Sequence, residues 1–305
     1  MKRGFEVKKL DVHYADSLKE TTVAYVNSTS LEIFNSCPRK AYYSIVRNAR
    51  RDDEKDALSF GSAIHEGLRA YYALTPASRS AAVAVAAFRI AGASLKDLPA
   101  DDKRSFTRGV QILEHYVRTY QNDPWLVYSD SRGPLVERDF EFELVRHGNL
   151  IIKLFGTIDA VFEHSETKER ILVDHKTTSS LGKDFYGRTN PNHQFTGYLL
   201  ACKEAFGINT DTAMMNGIQV AKTQFGLARA FTNRTQSDYD EYKEMVLYRV
   251  SEHLARLETG VFPMAGYPTC VNFGGCQFKE VCESHASQRE NVLQSIYPNV
   301  TPVTR

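Results

Sequence analysis

Two carboxylates and an ammonium stand close together in the stretch from Gly156 to Thr178, which reads GTIDAVFEHSETKERILVDHKTT. Asp174 and Lys176 are two residues apart, the spacing that puts side chains on one face of a β-strand. Asp159 lies on the preceding apolar segment and comes near them if the stretch folds as a hairpin. Such a group can hold a divalent cation on its carboxylates and a phosphate on its ammonium. A second chemical cluster lies near the C-terminus. Cys270, Cys276 and Cys282 are each separated by five residues, with Gly274 and Gly275 before the middle one and His285 shortly after the last. Three thiolates need a fourth ligand: His285 would complete a zinc site, whereas Cys37 would complete a four-thiolate set suited to an iron–sulfur cluster.

The elements that must position these groups follow from periodicity and punctuation. Residues 151–162 and 171–176 are rich in branched and aromatic side chains, and the polar segment 164–170 between them reads as a hairpin loop. Residues 135–144 alternate apolar and acidic side chains, so Glu137, Asp139, Glu141 and Glu143 read as the solvent face of a half-buried strand. A helix over 60–72 has an apolar stripe of Ile64, Leu68 and Tyr71 or Tyr72, with His65 beside it. A lone histidine there is either a satisfied core residue or a metal donor. Residues 78–92 and 101–120 read as two further helices without visible chemistry, and hence as an insertion or helical lobe.

The helix over 191–206, with Pro191 near its first turn, carries Gln194 and Tyr198 on one face; Cys202 extends that face and reads as a buried free thiol. A strand pair over 214–222 and 227–232 and a long helix over 237–257 complete the core. Short strands are expected over 8–26. A capping-box pattern at Thr29–Glu32 opens a helix interrupted by Pro38. That helix carries Arg39, Lys40, Arg47, Arg50 and Arg51 among Tyr42 and Tyr43. It reads either as a solvated charged face or as a phosphate-contacting surface.

Composition bounds the rest. The 305 residues carry a formal net charge of +1, so any basic surface is local. No apolar run approaches a membrane span, and the start shows no apolar signal region, so a cytoplasmic protein without a membrane partner is expected. Five cysteines without a signal favour metal ligation over a disulfide framework. No GxxxxGK[ST] loop occurs, so any unwinding must be supplied in trans.

Taken in order, the motifs resemble the PD-(D/E)xK nuclease superfamily, in the branch of RecB-like and AddB-like exonucleases that carry an iron–sulfur cluster. Phage-encoded and CRISPR-associated single-domain nucleases belong to the same branch. The resemblance rests on SCPRKAYY at 36–43, GSAIHE at 61–66, GTID at 156–159, DHK at 174–176, QFTGY at 194–198 and the terminal cysteines. It implies a restriction-endonuclease-like α/β fold, a mixed sheet flanked by helices, as one nuclease domain over 1–305. Within it fall a helical part over 30–122, a catalytic core over 134–258 and a cysteine tail over 259–290.

The resemblance further implies that His65, Asp159, Asp174 and the backbone carbonyl of His175 bind Mg²⁺ or Mn²⁺, that Lys176 is the catalytic lysine, and that Gln194 and Tyr198 form a substrate- or lysine-positioning helix. Cys37, Cys270, Cys276 and Cys282 would hold a [4Fe-4S] cluster, with zinc as the alternative. Arg39, Lys40, Tyr43 and Arg47 would contact DNA. The expected activity is metal-dependent DNA exonucleolysis in repair, recombination or phage DNA metabolism, in a bacterial or phage-infected cell. A helicase or recombination protein would be a partner in trans, and an oligomer is compatible. An endonuclease of the same fold and a non-catalytic nucleic-acid-binding protein with a zinc site are the alternatives. Ile158 stands where the literal motif has proline.

Overall fold

The structure, a computed structural model, describes residues 18–50, 55–99, 102–271 and 275–302. The strands expected over 8–17, Arg51 and Gly274 lie outside the described residues. The chain opens with strand β1 (Thr22–Val26) and helices α1 (Ser28–Ser36) and α2 (Pro38–Ala41). Helices α3 (Lys55–Tyr72), α4 (Ala81–Ala91) and α5 (Phe106–Thr119) follow. Next come β2 (Trp125–Val127), the small hairpin of β3 (Ser129–Asp130) and β4 (Gly133–Pro134), and the long strands β5 (Val136–His147), β6 (Leu150–His164) and β7 (Arg170–Thr178). The remainder is α6 (Lys183–Gly187), α7 (His193–Glu204), β8 (Thr212–Gln219), β9 (Leu227–Asn233), α8 (Gln236–Thr259), α9 (Tyr267–Val271), α10 (Lys279–Glu283) and α11 (Arg289–Ile296).

The sheet has the order β1-β6-β7-β8-β9, and β2 and β5 also pair with β6. It is mixed: β1 is parallel to β6 and β8 parallel to β7, whereas β2 and β7 run antiparallel to β6, and β9 antiparallel to β8. This is the mixed α/β class the sequence implies. The chain divides into two compact units. One comprises Met1–Arg51, Phe142–Phe155 and Asp240–Arg305; the other comprises Asp52–Glu141 and Gly156–Tyr239.

In the second unit, the apolar run Ile171-Leu172-Val173 of β7 is fully buried, as a strand covered on both faces requires. One face carries Ile171 and Val173 together with Ala160, Phe162, Met214 and Ile218. It packs against Phe60, Ile64 and Leu68 of α3, Phe88 of α4, and Leu113 and Tyr116 of α5. The region expected to be an insertion or helical lobe therefore contributes Ala84, Val85, Phe88, Ile112, Leu113 and Tyr116 to this core. Gly109 shows how tightly: a Cβ there would fall 2.0 Å from the Phe88 ring. The opposite face, carrying Leu172, Asp174 and Lys176, lies under α7. That helix starts at the N-cap Asn192, whose side chain accepts from Phe195 N–H, so Pro191 precedes the cap rather than occupying the first turn.

In the first unit, β1 pairs with residues 150–154 of β6. The cap of α1 is Asn27 with Ser30, two residues before the pattern at Thr29–Glu32, and the short side chains satisfy both free N–H groups reciprocally. Cys37 is extended and Pro38 restarts the chain as the first residue of α2, so the proline breaks the helix. Tyr43, Ala49, Phe278, Val281, Leu293 and Tyr297 form one apolar cluster of this unit, beside buried side chains such as Leu31, Leu150 and Val246.

Candidate active site

All side chains considered first belong to the second unit. The β6–β7 hairpin pairs in register down to Ala160 with Val173. One step further the ladder gives way to a side chain: the His175 N–H donates to Asp159 Oδ2 at 2.6 Å. The hairpin is thus held open at the point where its two acids face each other. Asp174 is 2% exposed and its Oδ1 accepts from Lys176 Nζ at 3.0 Å and from Gln194 Nε2 at 3.1 Å. Gln194 Oε1 in turn accepts from Lys176 Nζ at 3.1 Å, closing a three-membered ring between β7 and the first turn of α7. Tyr198, one helical turn on, meets the Phe140 ring edge-on at 5.5 Å and acts electrostatically on Lys176. Asp174 Oδ2 is buried with no hydrogen-bond partner among the described residues. An orphaned carboxylate oxygen is costly unless a cation uses it.

Beside this ring, His65 Nδ1 lies 3.5 Å from Asp159 Oδ2 and 3.6 Å from Glu137 Oε1. One ligand atom from each of His65, Glu137 and Asp159 falls within 4.8 Å of the others, a spacing able to hold a metal ion. Glu137 is a correction to the sequence reading, which placed it on the solvent face. Its φ of 43° is in the left-handed region, rare for a non-glycine residue, and this turn of the backbone accompanies the departure of β5 from simple alternation. Alternation alone could not reveal it.

The electrostatics of the cluster suit a bound cation. Burial, then the charges of Asp174 and Glu137, push the Asp159 carboxyl up to about 7, against the pull of His65 and the His175 N–H. Burial works against the protonated form of His65, but Glu137, Asp159 and Asp174 outweigh it and raise its pKa. Burial likewise opposes the Lys176 ammonium, and Asp174 and Asp159 more than offset this, so the lysine is held above its ordinary value. Lys176 is therefore a cation at neutral pH, able to donate hydrogen bonds and neutralise charge but not to act as a base. The donor set, one imidazole and carboxylate oxygens, suits a hard divalent ion.

On the opposite face of β7, the His175 ring is buried and neutral, its pKa well lowered by burial and neighbouring cations. Asn216, its register partner on β8, lies 3.0 Å from His175 Nδ1 and donates to Tyr116 Oη at 2.6 Å. Tyr116 Oη pairs with Tyr72 Oη at 2.7 Å, and the Tyr72 ring stacks on His175 at 5.8 Å. This support comes from α3, α5 and β8. No spacing in the sequence pointed to it, because tyrosine and asparagine in apolar runs read as ordinary core.

The cysteines lie in the first unit. Burial raises the thiols of Cys270 and Cys282. Cys276 and Cys37 act on both, and Cys270 acts on Cys282 as well, so the four sulfurs share one neighbourhood. No three of them come within 4.8 Å of one another among the described residues. Cys276 N–H donates to Cys270 O at 2.8 Å, and Gly275 just before it has a φ of +94°, which glycine adopts freely. His285 is exposed and its Nδ1 pairs with Ser287 Oγ at 2.8 Å, capping its own turn rather than joining the cysteines. Cys202, in the second unit, is a fully buried thiol, pushed up to about 12 by burial.

The DNA-contacting set Arg39, Lys40, Tyr43 and Arg47 is corrected in two members. Arg47 is 3% exposed and forks onto Glu290 at 2.9 and 2.6 Å, so its charge is already spent internally. Tyr43 is buried in the core. Arg39 Nε donates to Phe262 O at 2.6 Å, while Lys40 is half-buried.

Comparison with known proteins adds the following. A family model described as the PD-(D/E)XK nuclease superfamily matches residues 25–283. A solved structure from Eubacterium rectale bearing the name "Putative exonuclease" is similar over 92% of this chain and 95% of that chain, with 13% identity and a TM-score of 0.52. The crystal structure of SSO0001 matches over 78% of this chain and 80% of that chain, at 13% identity and a TM-score of 0.34. No curated protein matches the chain.

Proposed function

This chain belongs to the PD-(D/E)XK nuclease superfamily, and from that premise we propose that it is a divalent-metal-dependent DNA exonuclease of the RecB/AddB-like iron–sulfur branch, working as one nuclease domain. The observation that carries the reading is the buried Asp174 carboxylate, one oxygen shared by Lys176 and Gln194 and the other unpartnered, beside the His65–Glu137–Asp159 group.

In this reading Asp174, Asp159, His65 and Glu137, with the backbone carbonyl of His175, hold Mg²⁺ or Mn²⁺. When bound, such an ion activates water and polarises the scissile phosphate. The chain's own residues do the rest. Lys176 presents its ammonium to the phosphate as charge accumulates there. Gln194 fixes the lysine's position through Oε1, and Tyr198 shapes the wall beside it. Without a cation the cluster of acids would repel a phosphodiester, so metal binding also reverses the local sign of charge.

The choice of exonuclease follows the motif resemblance and the designation carried by the Eubacterium rectale neighbour. The iron–sulfur cluster on Cys37, Cys270, Cys276 and Cys282 follows the motif resemblance, with zinc as the alternative, and the four thiols share one neighbourhood.

A time course on end-labelled linear and on circular DNA, with and without Mg²⁺ or Mn²⁺, tests the activity. Metal-dependent loss of linear DNA from its ends is expected, abolished in Asp174→Ala and Lys176→Ala without loss of the fold. Full activity in either variant, or binding of DNA without any metal-dependent product, overturns the proposal. Cutting of the circle points to an endonuclease.

A further inference from the structure

We infer that the segment between the catalytic strand and α7 is the substrate-strand platform of this enzyme, with Tyr186 stacking on an unpaired base; the substrate is a DNA end with single-stranded character. The inference deepens the nuclease reading and rests on it for its position at the site, not for its chemistry.

The placement comes from packing on the face that carries Asp174 and Lys176. Gly217 of β8 is the register partner of Lys176. A Cβ on Gly217 would fall 2.4 Å from the Phe185 ring and 2.8 Å from Leu181. Only the bare glycine lets these two side chains sit down on the sheet next to the lysine. Phe185 is buried, so it anchors the short helix α6 there. The neighbouring side chains then point outward: Tyr186 is 50% exposed, and Lys183 and Arg188 are exposed as well. The Tyr186 ring touches Phe185 edge-on at 5.3 Å, which stiffens it while leaving a face open. Its backbone carbonyl accepts from Thr189 Oγ1 at 3.0 Å, so the turn is held without the phenol.

Among the described residues, Lys183 and Arg188 form no ion pair, unlike the buried Arg47 on which a DNA contact was expected. Asp184 is the one exposed acid between them, leaving the segment net positive. An exposed aromatic flanked by unneutralised cations, anchored beside a phosphate-handling lysine, matches a single strand, whose bases offer open faces and whose backbone offers phosphates. A duplex keeps its bases stacked on one another and cannot use the ring.

The test separates binding from cleavage. Fluorescence anisotropy with a labelled single-stranded oligonucleotide, in Mn²⁺ and with Lys176→Ala in every protein so that the acids are neutralised and no cleavage intervenes, compares the protein carrying Tyr186 with Tyr186→Ala and Tyr186→Phe. Tyr186→Ala is expected to weaken single-strand binding by about five- to one-hundred-fold, the range base–aromatic stacking spans, with Tyr186→Phe near the protein carrying Tyr186. Binding of the blunt duplex of the same sequence stays unchanged. Lys183→Ala with Arg188→Ala lowers the salt dependence of single-strand binding. Unchanged single-strand binding in Tyr186→Ala, or equal loss on duplex and single strand, overturns the inference. If the wild type cleaves nothing with Mg²⁺ or Mn²⁺ yet Tyr186→Ala loses single-strand binding, the platform stands and the nuclease reading falls.

Discussion

At the scale of single residues, two side chains decide how the acidic cluster behaves. Glu137 shares a ligand-distance group with His65 and Asp159. Glu137→Gln removes one anionic donor while keeping the shape, so Mn²⁺ affinity by titration calorimetry is expected to fall at least about ten-fold. An unchanged affinity would return Glu137 to the solvent face. Asp159 carries the second argument. Its carboxyl titrates near 7 in the metal-free protein, far above an ordinary aspartate, because it is buried and faces Asp174. The folded state therefore holds a proton that the unfolded state has lost between about pH 4 and pH 7. Metal-free stability falls as pH rises through that window and levels off above it. Asp159→Asn reduces the slope and leaves the smaller part that His65, raised by Glu137 and Asp174, contributes with the same sign. At pH 8 it is expected to stabilise the metal-free protein by about 0.5–2 kcal/mol, the usual gain when a strained functional residue is relieved. Denaturant melts at pH 5 and pH 8, in both proteins, read this directly. A wild-type stability that climbs from pH 5 to pH 8 contradicts the burial argument.

Among whole elements, α7 is the one whose placement matters most, because Gln194 rides on its first turn. Its start is clamped by Arg234, at the end of β9. The guanidinium donates to Thr196 Oγ1 at 2.8 Å, to Thr189 O at 2.9 Å and to Asn192 O at 3.3 Å. Arg234→Met takes the donor from Thr189 O and Thr196 Oγ1, while Asn192 O keeps its bonds from Thr196, costing about 1–3 kcal/mol. It also lets the helix start drift, so nuclease turnover is expected to drop while Mn²⁺ affinity at the His65–Glu137–Asp159 group holds. Equal loss of both would mean general unfolding instead. This clamp also marks the limit of what the sequence could tell. The hairpin, α7 and the strand pair β8–β9 were legible because alternation, helical spacing and a polar loop each have a local signature. Asp159, Asp174, Lys176 and Gln194 were legible for the same reason: each sits at a motif spacing. Arg234, Glu137 and the Tyr72–Tyr116–Asn216 network were not, since their roles arise from contacts between segments distant in sequence. Arg47 failed in the other direction: its charge looked available until Glu290, from the far end of the chain, took it.

For the molecule as a whole, the cysteines set a separate question, because Cys37 shares a neighbourhood with three cysteines far from it in sequence. Cys37 precedes the second unit, while Cys270, Cys276 and Cys282 follow it, all within the first unit. Closing so long a loop in the unfolded chain removes much entropy, about 5 kcal/mol for a cross-link of this length. A metal clip would add to the apolar packing of the first unit, which includes the cluster around Tyr43, Phe278 and Tyr297 and buried side chains such as Leu31, Leu150 and Val246. Purified protein is expected to contain iron and acid-labile sulfide together. Cys37→Ala should lose both and melt several degrees lower. Cys202→Ala, which alters a thiol buried in the second unit, should keep both. The pair of variants separates ligation from burial, since each removes one buried sulfur and only one of them should release iron. Stoichiometric zinc without iron would replace the cluster by a compact metal clip and require the sulfurs to close in. Iron retained in Cys37→Ala would take the N-terminal cysteine out of the ligand set.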